Sequence, residues 1–279
     1  MRCKSVSYYK GANYCEIIYK NNASAPERYK EDKGWIYSER EGWDMKITGS
    51  CSKAGCKINE KCIPKSLGNY ECILSDCGMP PIVRGADSGS LERWDAIGIY
   101  RQIHLQCHKY IFKKKGSGML GCSLNGQWTI NLTCEFQEVW VPFKGKLYMV
   151  RSKKLKWTDA KVACENEGAS LVEIKSKEEN TWITENLLKP FFEGTDITEW
   201  TATVFWIGGK CNSGKAEECT WEKNREKFQN REKFRYHNFR DKEPKDDSEE
   251  CVFTSTANDG EWNDFYCDQE RPYLCEKST

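Results

Sequence analysis

Glu243-Pro244-Lys245-Asp246-Asp247-Ser248-Glu249-Glu250-Cys251, followed eleven residues later by Trp262-Asn263-Asp264 and closed by Cys267 and Cys275, is the stretch on which the reading of this chain turns. Carboxylates, carboxamides and backbone carbonyls are hard oxygen donors, and a hard cation such as Ca²⁺ gathers about six to eight of them. These two segments supply such groups densely, beside cysteines able to tie them together. Residues 243–250 carry net charge −4, and a loop so charged repels itself unless a cation enters it. Without a cation, the same acids are a solvated acidic loop.

The rest of the chain bounds what such a site could belong to. Its 279 residues include 16 cysteines, an even number grouped in local clusters without Cys-x2-Cys pairs of the zinc type. Reducing compartments keep thiols free, so this usage predicts disulfides in a secreted or extracellular setting, in small units that staple themselves for want of a large core. Lysine and arginine number 43 against 42 aspartate and glutamate, a formal net charge of +1. No global field draws nucleic acid or an anionic membrane, and no nucleic-acid partner is expected. No apolar run reaches the roughly 18 residues of a membrane-crossing helix, so no transmembrane segment is expected. Met1-Arg2-Cys3-Lys4-Ser5 lacks the apolar core of a signal peptide, which predicts a missing N-terminal part. Asn22-Ala23-Ser24 and Asn131-Leu132-Thr133 are glycosylation acceptors that fit secretion.

Upstream of the acidic stretch the cysteines mark out three shorter segments. Residues 1–50 hold Cys3 and Cys15 among alternating apolar and polar residues, Val6-Ser7-Tyr8-Tyr9, Cys15-Glu16-Ile17-Ile18-Tyr19 and Gly34-Trp35-Ile36-Tyr37, which read as short strands. The Cys-x-Ser-x-Ser-Tyr run with Asn13-Tyr14-Cys15-Glu16 resembles the closing half of a PAN (apple) domain. Residues 51–75 hold Cys51, Cys56, Cys62 and Cys72, and Gly68-Asn69-Tyr70-Glu71-Cys72 resembles a truncated EGF-like module. That resemblance implies the pairs 51–62 and 56–72. Lys46-Ile47-Thr48-Gly49-Ser50 stands where calcium-binding versions carry acids, so this segment reads as a spacer. Residues 76–135, from Cys77-Gly78-Met79-Pro80-Pro81 through Cys107, Gly121-Cys122, Gly126-Gln127-Trp128 and Cys134, resemble a sushi (complement-control) module. The pairs 77–122 and 107–134 are then implied, with Trp128 packing against them. His104 and His108 share one strand face but flank a cysteine committed to a bridge, which favours a structural reading. Lys113-Lys114-Lys115 reads as a solvated loop, with heparin-like binding as the alternative.

Residues 138–279 resemble a C-type lectin domain over their whole length. Trp157 to Cys164 predicts an amphipathic helix with Thr158 as N-cap and with Ala160 and Cys164 on one face. Ser176 and Glu179 have capping-box spacing, opening a second helix with Ile183 and Leu187 inward. Trp206-Ile207-Gly208-Gly209 matches the family's core motif. The resemblance implies bridges 164–275 and 251–267, leaving Cys211 and Cys219 to close a local hairpin. The expected fold class is a multidomain, disulfide-rich chain of small β modules followed by a mixed α+β C-type lectin fold.

In sugar-binding members of that family, Glu-Pro-Asn, a Glu two before the next cysteine, and Asn-Asp after Trp hold one Ca²⁺ and two adjacent sugar hydroxyls. Carried over residue by residue, the resemblance implies Glu243, Glu249, Asn263 and Asp264 as metal and carbohydrate ligands, with Pro244 in the cis form. The departure is Lys245, in the place of the family's Asn, whose ammonium cannot coordinate a cation. Asp246 or Asp247 could supply replacement oxygens, or Lys245 could face solvent or an anionic ligand. Trp262 is expected to pack in the core rather than stack on sugar. Asn224-Arg225-Glu226-Lys227-Phe228 recurs as Asn230-Arg231-Glu232-Lys233-Phe234, and residues 220–242 carry net charge +4. This reads as an expanded loop whose Phe residues pack back, or as a basic rim suited to sulfated or sialylated glycans.

The expected function is calcium-dependent carbohydrate binding by an extracellular mosaic protein acting in recognition or adhesion. Its partners would be glycans on cell surfaces or glycoproteins, with protein partners through the sushi segment. The competing reading is a calcium-independent protein-interaction or complement-control-like molecule with a degenerate lectin domain. No Ser-His-Asp, Cys-His or zinc constellation stands out, and with three histidines no enzyme is expected.

Overall fold

The computed structural model describes residues 5–9, 14–18, 35–39, 49–51, 54–57, 59–87, 89, 97–195, 203–222, 231–245, 250–256 and 259–279. The chain divides into two compact units, one of residues 1–81, 89–104 and 119–131, the other of residues 82–88, 105–118 and 132–279. Among the described residues seven disulfides form: 51–62, 56–72, 77–122, 107–134, 164–275, 211–219 and 251–267. All seven pairs are those the sequence resemblances and the leftover cysteines implied. Cys3 and the side chain of Cys15 lie outside the described residues.

In the first unit, β1 (Ser5–Tyr9) pairs antiparallel with both β2 (Tyr14–Ile18) and β3 (Trp35–Glu39), so the alternating segments do form strands. β4 (Glu60–Pro64) and β5 (Tyr70–Leu74) make a hairpin in which Cys62 stands opposite Cys72. Each of those cysteines bridges away from the hairpin, to Cys51 and Cys56, because a two-stranded ribbon is marginal without further anchorage. β6 (Gln102–His104) pairs with the far end of β7 (Phe112–Cys122), and the Cys77–Cys122 bridge closes this part. Trp128, at the start of β8 (Trp128–Phe136), is half-buried, and its indole N–H reaches the carbonyls of Cys77 and Met79, each at 3.0 Å.

In the second unit the lysine triplet corrects the loop expectation, since Lys113, Lys114 and Lys115 lie within β7. The neighbouring strand decides this: Lys115 pairs with Glu135 of β8, while the Lys114 ammonium donates to the Ser117 carbonyl at 2.8 Å. His108 meets Glu193 at 2.5 Å rather than a metal set.

The larger part of this unit is a mixed sheet. β10 (Lys146–Leu155) pairs antiparallel with β17 (Arg271–Ser278), which brings Lys146 opposite Ser278, and with β9 (Val141–Phe143). Between them runs α1 (Trp157–Glu165), which buries Ala160 and Cys164 completely and is bolted to β17 by Cys164–Cys275. The helix begins one residue before Thr158, which is therefore not its N-cap; Lys156 holds that position without a side-chain cap. The indole of Trp157 supplies the anchor instead, its N–H donating to Ile207 O at 2.8 Å while its backbone N–H donates to Cys267 O at 3.0 Å.

A short strand β11 (Ser170–Leu171) adds to β17, and α2 (Lys177–Ile183) follows. Ser176 caps α2, its hydroxyl accepting from Glu179 N at 3.2 Å. The return half of the box is displaced, for the Glu179 carboxylate takes the Lys175 N–H at 2.7 Å. α2 continues through a wide turn at Thr184–Leu188 into α3 (Lys189–Phe192), with Ile183, Leu187 and Leu188 all fully buried.

β12 (Val204–Lys210) is the central strand, buried over Val204–Gly209, and such a run reads as continuous apolar sequence because both faces are covered. It pairs with β13 (Thr220–Glu222), with β15 (Cys251–Ser255) and, in parallel, with β17. Gly208 and Gly209 are glycines for want of room: a Cβ would stand 3.0 Å from Leu171 O at the first and 2.7 Å from Phe234 Cζ at the second. β14 (Arg231–Lys233) adds outside β13, and Phe234, the last residue of the second repeat copy, is buried against Trp221. Phe228, in the first copy, lies outside the described residues.

Candidate functional site

Two elements build the site. β15 and β16 (Trp262–Phe265) form an antiparallel pair in which Asp264 stands opposite Val252 and Asn263 opposite Phe253. The segment 238–245 is laid along β16 by a chain of backbone bonds: Trp262 N to Asn238 O at 2.8 Å, Arg240 N to Trp262 O at 3.0 Å, and Glu243 N to Arg240 O at 3.0 Å. Trp262 is the pivot, fully buried, packed against Trp221, Phe234, Tyr236 and Phe239. Its place in the core matches the sequence expectation and removes it as a sugar-stacking ring.

The Glu243–Pro244 peptide is cis. The Glu243 side chain is only 10% exposed, and its Oε2 is buried without a hydrogen-bond partner. Lys245 joins the two segments of the motif: its ammonium lies 3.1 Å from Glu243 Oε1, and its backbone N–H donates to Asp264 Oδ2 at 3.1 Å. Asp264 is fully buried and Asn263 is 7% exposed, with the Asn263 Oδ1 accepting from Asp264 N at 3.0 Å. Glu243, Asn263 and Asp264 are thus linked through Lys245 and the β16 backbone, while Glu249, Asp246 and Asp247 lie outside the described residues. Glu250, the last acid of the loop, faces Lys210 at 3.3 Å.

The donor set suits Ca²⁺. A carboxylate oxygen taken out of water and left unpartnered is costly, and Glu243 Oε2 is such an atom, in the segment that Lys245 ties to Asp264. Glu243, Asn263 and Asp264 are the residues that would hold the ion, and hard oxygens are what it takes.

One residue the sequence reading missed supports all of this. Asn180 of α2, 1% exposed, accepts from the Trp262 indole N–H at 2.8 Å and donates to Asp259 O at 2.5 Å and Gly260 O at 3.2 Å. Gly260 has φ +76°, and a Cβ there would meet Thr184 Oγ1 at 2.1 Å, so the chain can reach Asn180 only through glycine. The clue in the sequence is that Asn180 shares a helical face with Ile183 and Leu187, both fully buried, where an unpaired carboxamide would not survive.

Residues 153–277 match the family model of the lectin C-type domain, and this part of the chain is a C-type lectin domain. The chain is 30% identical over 206 residues to C-type mannose receptor 2 of Mus musculus, covering 73% of this chain and 12% of the receptor. It is 29% identical over 127 residues to a protein of Pleurodeles waltl named Lectin, covering 44% of this chain and 64% of that protein. Among solved structures, the mouse scavenger receptor C-type lectin carbohydrate-recognition domain is 28% identical, with 50% of this chain and 95% of that chain covered at a TM-score of 0.37. The chain spans 12% of the mouse mannose receptor and 10% of its human counterpart.

Proposed function

We propose that the C-terminal domain binds glycans on cell surfaces or glycoproteins through Glu243, Glu249, Asn263 and Asp264 with the help of Ca²⁺. The observation that carries this reading is the buried, unpartnered Glu243 Oε2 on a segment that is bonded through Lys245 N to Asp264, which like Asn263 is itself buried. Bound calcium would supply positive charge and coordination positions for two adjacent sugar hydroxyls. The protein's own share is positional. Asp264 holds the Lys245 backbone and so fixes the loop against β16. Glu243 and Glu249 offer acceptors to hydroxyl protons, and the Asn263 carboxamide offers both donor and acceptor. Exposed Lys233, Arg235, Arg240 and Lys242 form a basic stretch leading into the site that suits sulfated or sialylated substituents. No bond is broken by such a set, so the activity is binding.

The name of the mouse relative, C-type mannose receptor 2, accords with a sugar ligand. A secreted or cell-surface setting accords with seven disulfides. No described helix is long and apolar enough to cross a membrane. We retain the division into a PAN-like part (1–50), an EGF-like part (51–75), a sushi part (76–135) and the lectin domain (138–279) as part of this proposal, the first three spacing or docking the last in recognition or adhesion. A second reading, a calcium-independent protein-interaction or complement-control-like molecule with a degenerate lectin domain, is favoured by one observation: the Lys245 ammonium already stands against Glu243.

A glycan array probed with and without chelator tests the proposal. Binding in calcium that falls at least tenfold on chelation, and in Asn263→Ala, is the expected result. Binding indifferent to chelator removes calcium from the proposal, and no glycan retained under either condition overturns glycan binding and favours the second reading.

A further inference from the structure

Lys245 is the only basic residue between Glu243 and Glu250, and its position is not that of a bystander. Its ammonium lies 3.1 Å from Glu243 Oε1, on a side chain that is 52% exposed, while the Glu243 side chain is 10% exposed. The carboxylate is thus held inside and the ammonium reaches it from solvent. Its backbone is held separately, by the bond from Lys245 N to Asp264, a hold that does not pass through the ammonium.

We propose that the Lys245 ammonium is a tethered cation that neutralises the Glu243 carboxylate in the place of a divalent ion, so that calcium enters the cradle only by displacing it. The inference rests on the reading of Glu243 as the metal-site carboxylate. Charge explains why the two cannot coexist: an ammonium within about 4 Å of a divalent cation repels it strongly, the more so in a partly buried site. Exposure explains why the exchange is reversible, since an ion pair open to water on one side is weak and its lysine regains rotamer freedom on release. The ammonium satisfies Oε1 alone; Oε2 keeps no hydrogen-bond partner. A single charge on one oxygen therefore leaves the cradle incompletely balanced, which is what allows a divalent ion to compete at all.

Calcium titration calorimetry on the 279-residue chain tests this with three proteins: wild type, Lys245→Met, which keeps the stem and the backbone donor but removes the charge, and Lys245→Arg, which keeps the charge. Melting temperatures in chelator and in calcium serve as the second readout and report folding. The expected result is calcium affinity at least about tenfold tighter in Lys245→Met than in wild type, with Lys245→Arg close to wild type, as removal of one nearby like charge predicts. Lys245→Met should also melt lower than wild type in chelator, because Glu243 loses its counter-ion, and gain more from calcium. Equal affinity in wild type and Lys245→Met overturns the inference while leaving calcium binding intact. Heat from Lys245→Met but none from wild type upholds the inference and removes calcium from the proposed function. Heat from neither protein overturns both.

Discussion

Asn180 anchors β16, the strand of Asn263 and Asp264, from 82 residues away in sequence. Its carboxamide accepts from the Trp262 indole N–H and also takes the turn at Asp259 and Gly260. Asn180→Ala should therefore lower stability by about 3 kcal/mol, the cost of a buried donor left unpaired together with lost bonds at the turn; chemical denaturation measures it, and a change under 1 kcal/mol would show that water replaces the side chain. Glu243, Asn263 and Asp264 can be named as candidates from the sequence because they lie in short linear motifs. Asn180 was not, because each of its partners arrives from the far side of the domain and nothing local marks them.

At the level of elements, β10, α2 and β17 meet in an ionic cluster under the sheet. The Lys146 ammonium donates to Glu179 Oε1 and Glu276 Oε2, both at 2.9 Å, and the Tyr148 hydroxyl donates to Glu179. Burial alone would lower the Lys146 pKa, but the carboxylates of Glu276 and Glu179 outweigh it and hold the ammonium above its ordinary value. Glu276 goes the other way: burial pushes its carboxyl from 4.5 up to about 7, against the pull of Lys146. A carboxyl whose folded pKa is raised favours the fold while protonated, so its contribution is full below about pH 4.5 and is lost as pH rises through about 7. Wild type should lose on the order of 2 kcal/mol relative to Glu276→Gln between these limits, read from melting curves at stepped pH; parallel curves for the two proteins would refute it. The helix of Glu179 was legible from its cap at Ser176, whereas the cluster was not, since Lys146, Glu179 and Glu276 come from three distant elements. The N-cap of α1 was misread at Thr158 for a related reason, because the indole of Trp157, bound to Ile207 across the core, sets where that helix begins.

For the molecule as a whole, covalent closure differs in kind from place to place. Cys164–Cys275 closes a segment of 111 residues, worth about 5 kcal/mol on a chain-entropy account, and its sulfurs sit in residues 0% and 1% exposed. Cys211–Cys219 is equally buried, whereas Cys56, Cys72, Cys107 and Cys134 are half-buried. Thiolate attack needs access, so partial reduction and alkylation of the native protein, followed by peptide mass mapping, should label 56–72 and 107–134 before 164–275 and 211–219. Uniform labelling would mean that the whole molecule opens before any bridge is reached. The strands of the N-terminal segment and the buried faces of the two helices could be read from the linear chain, because periodicity is a local property, and the seven described cysteine pairs followed from the resemblances to known modules and the cysteines these left over. The strand that takes up Lys113–Lys115, the Asn180 anchor, the ionic cluster around Lys146 and the ammonium lodged against Glu243 appear only in the folded chain. All four depend on which segments the fold lays side by side, and for Asn180 and the Lys146 cluster burial is what makes the meeting strong.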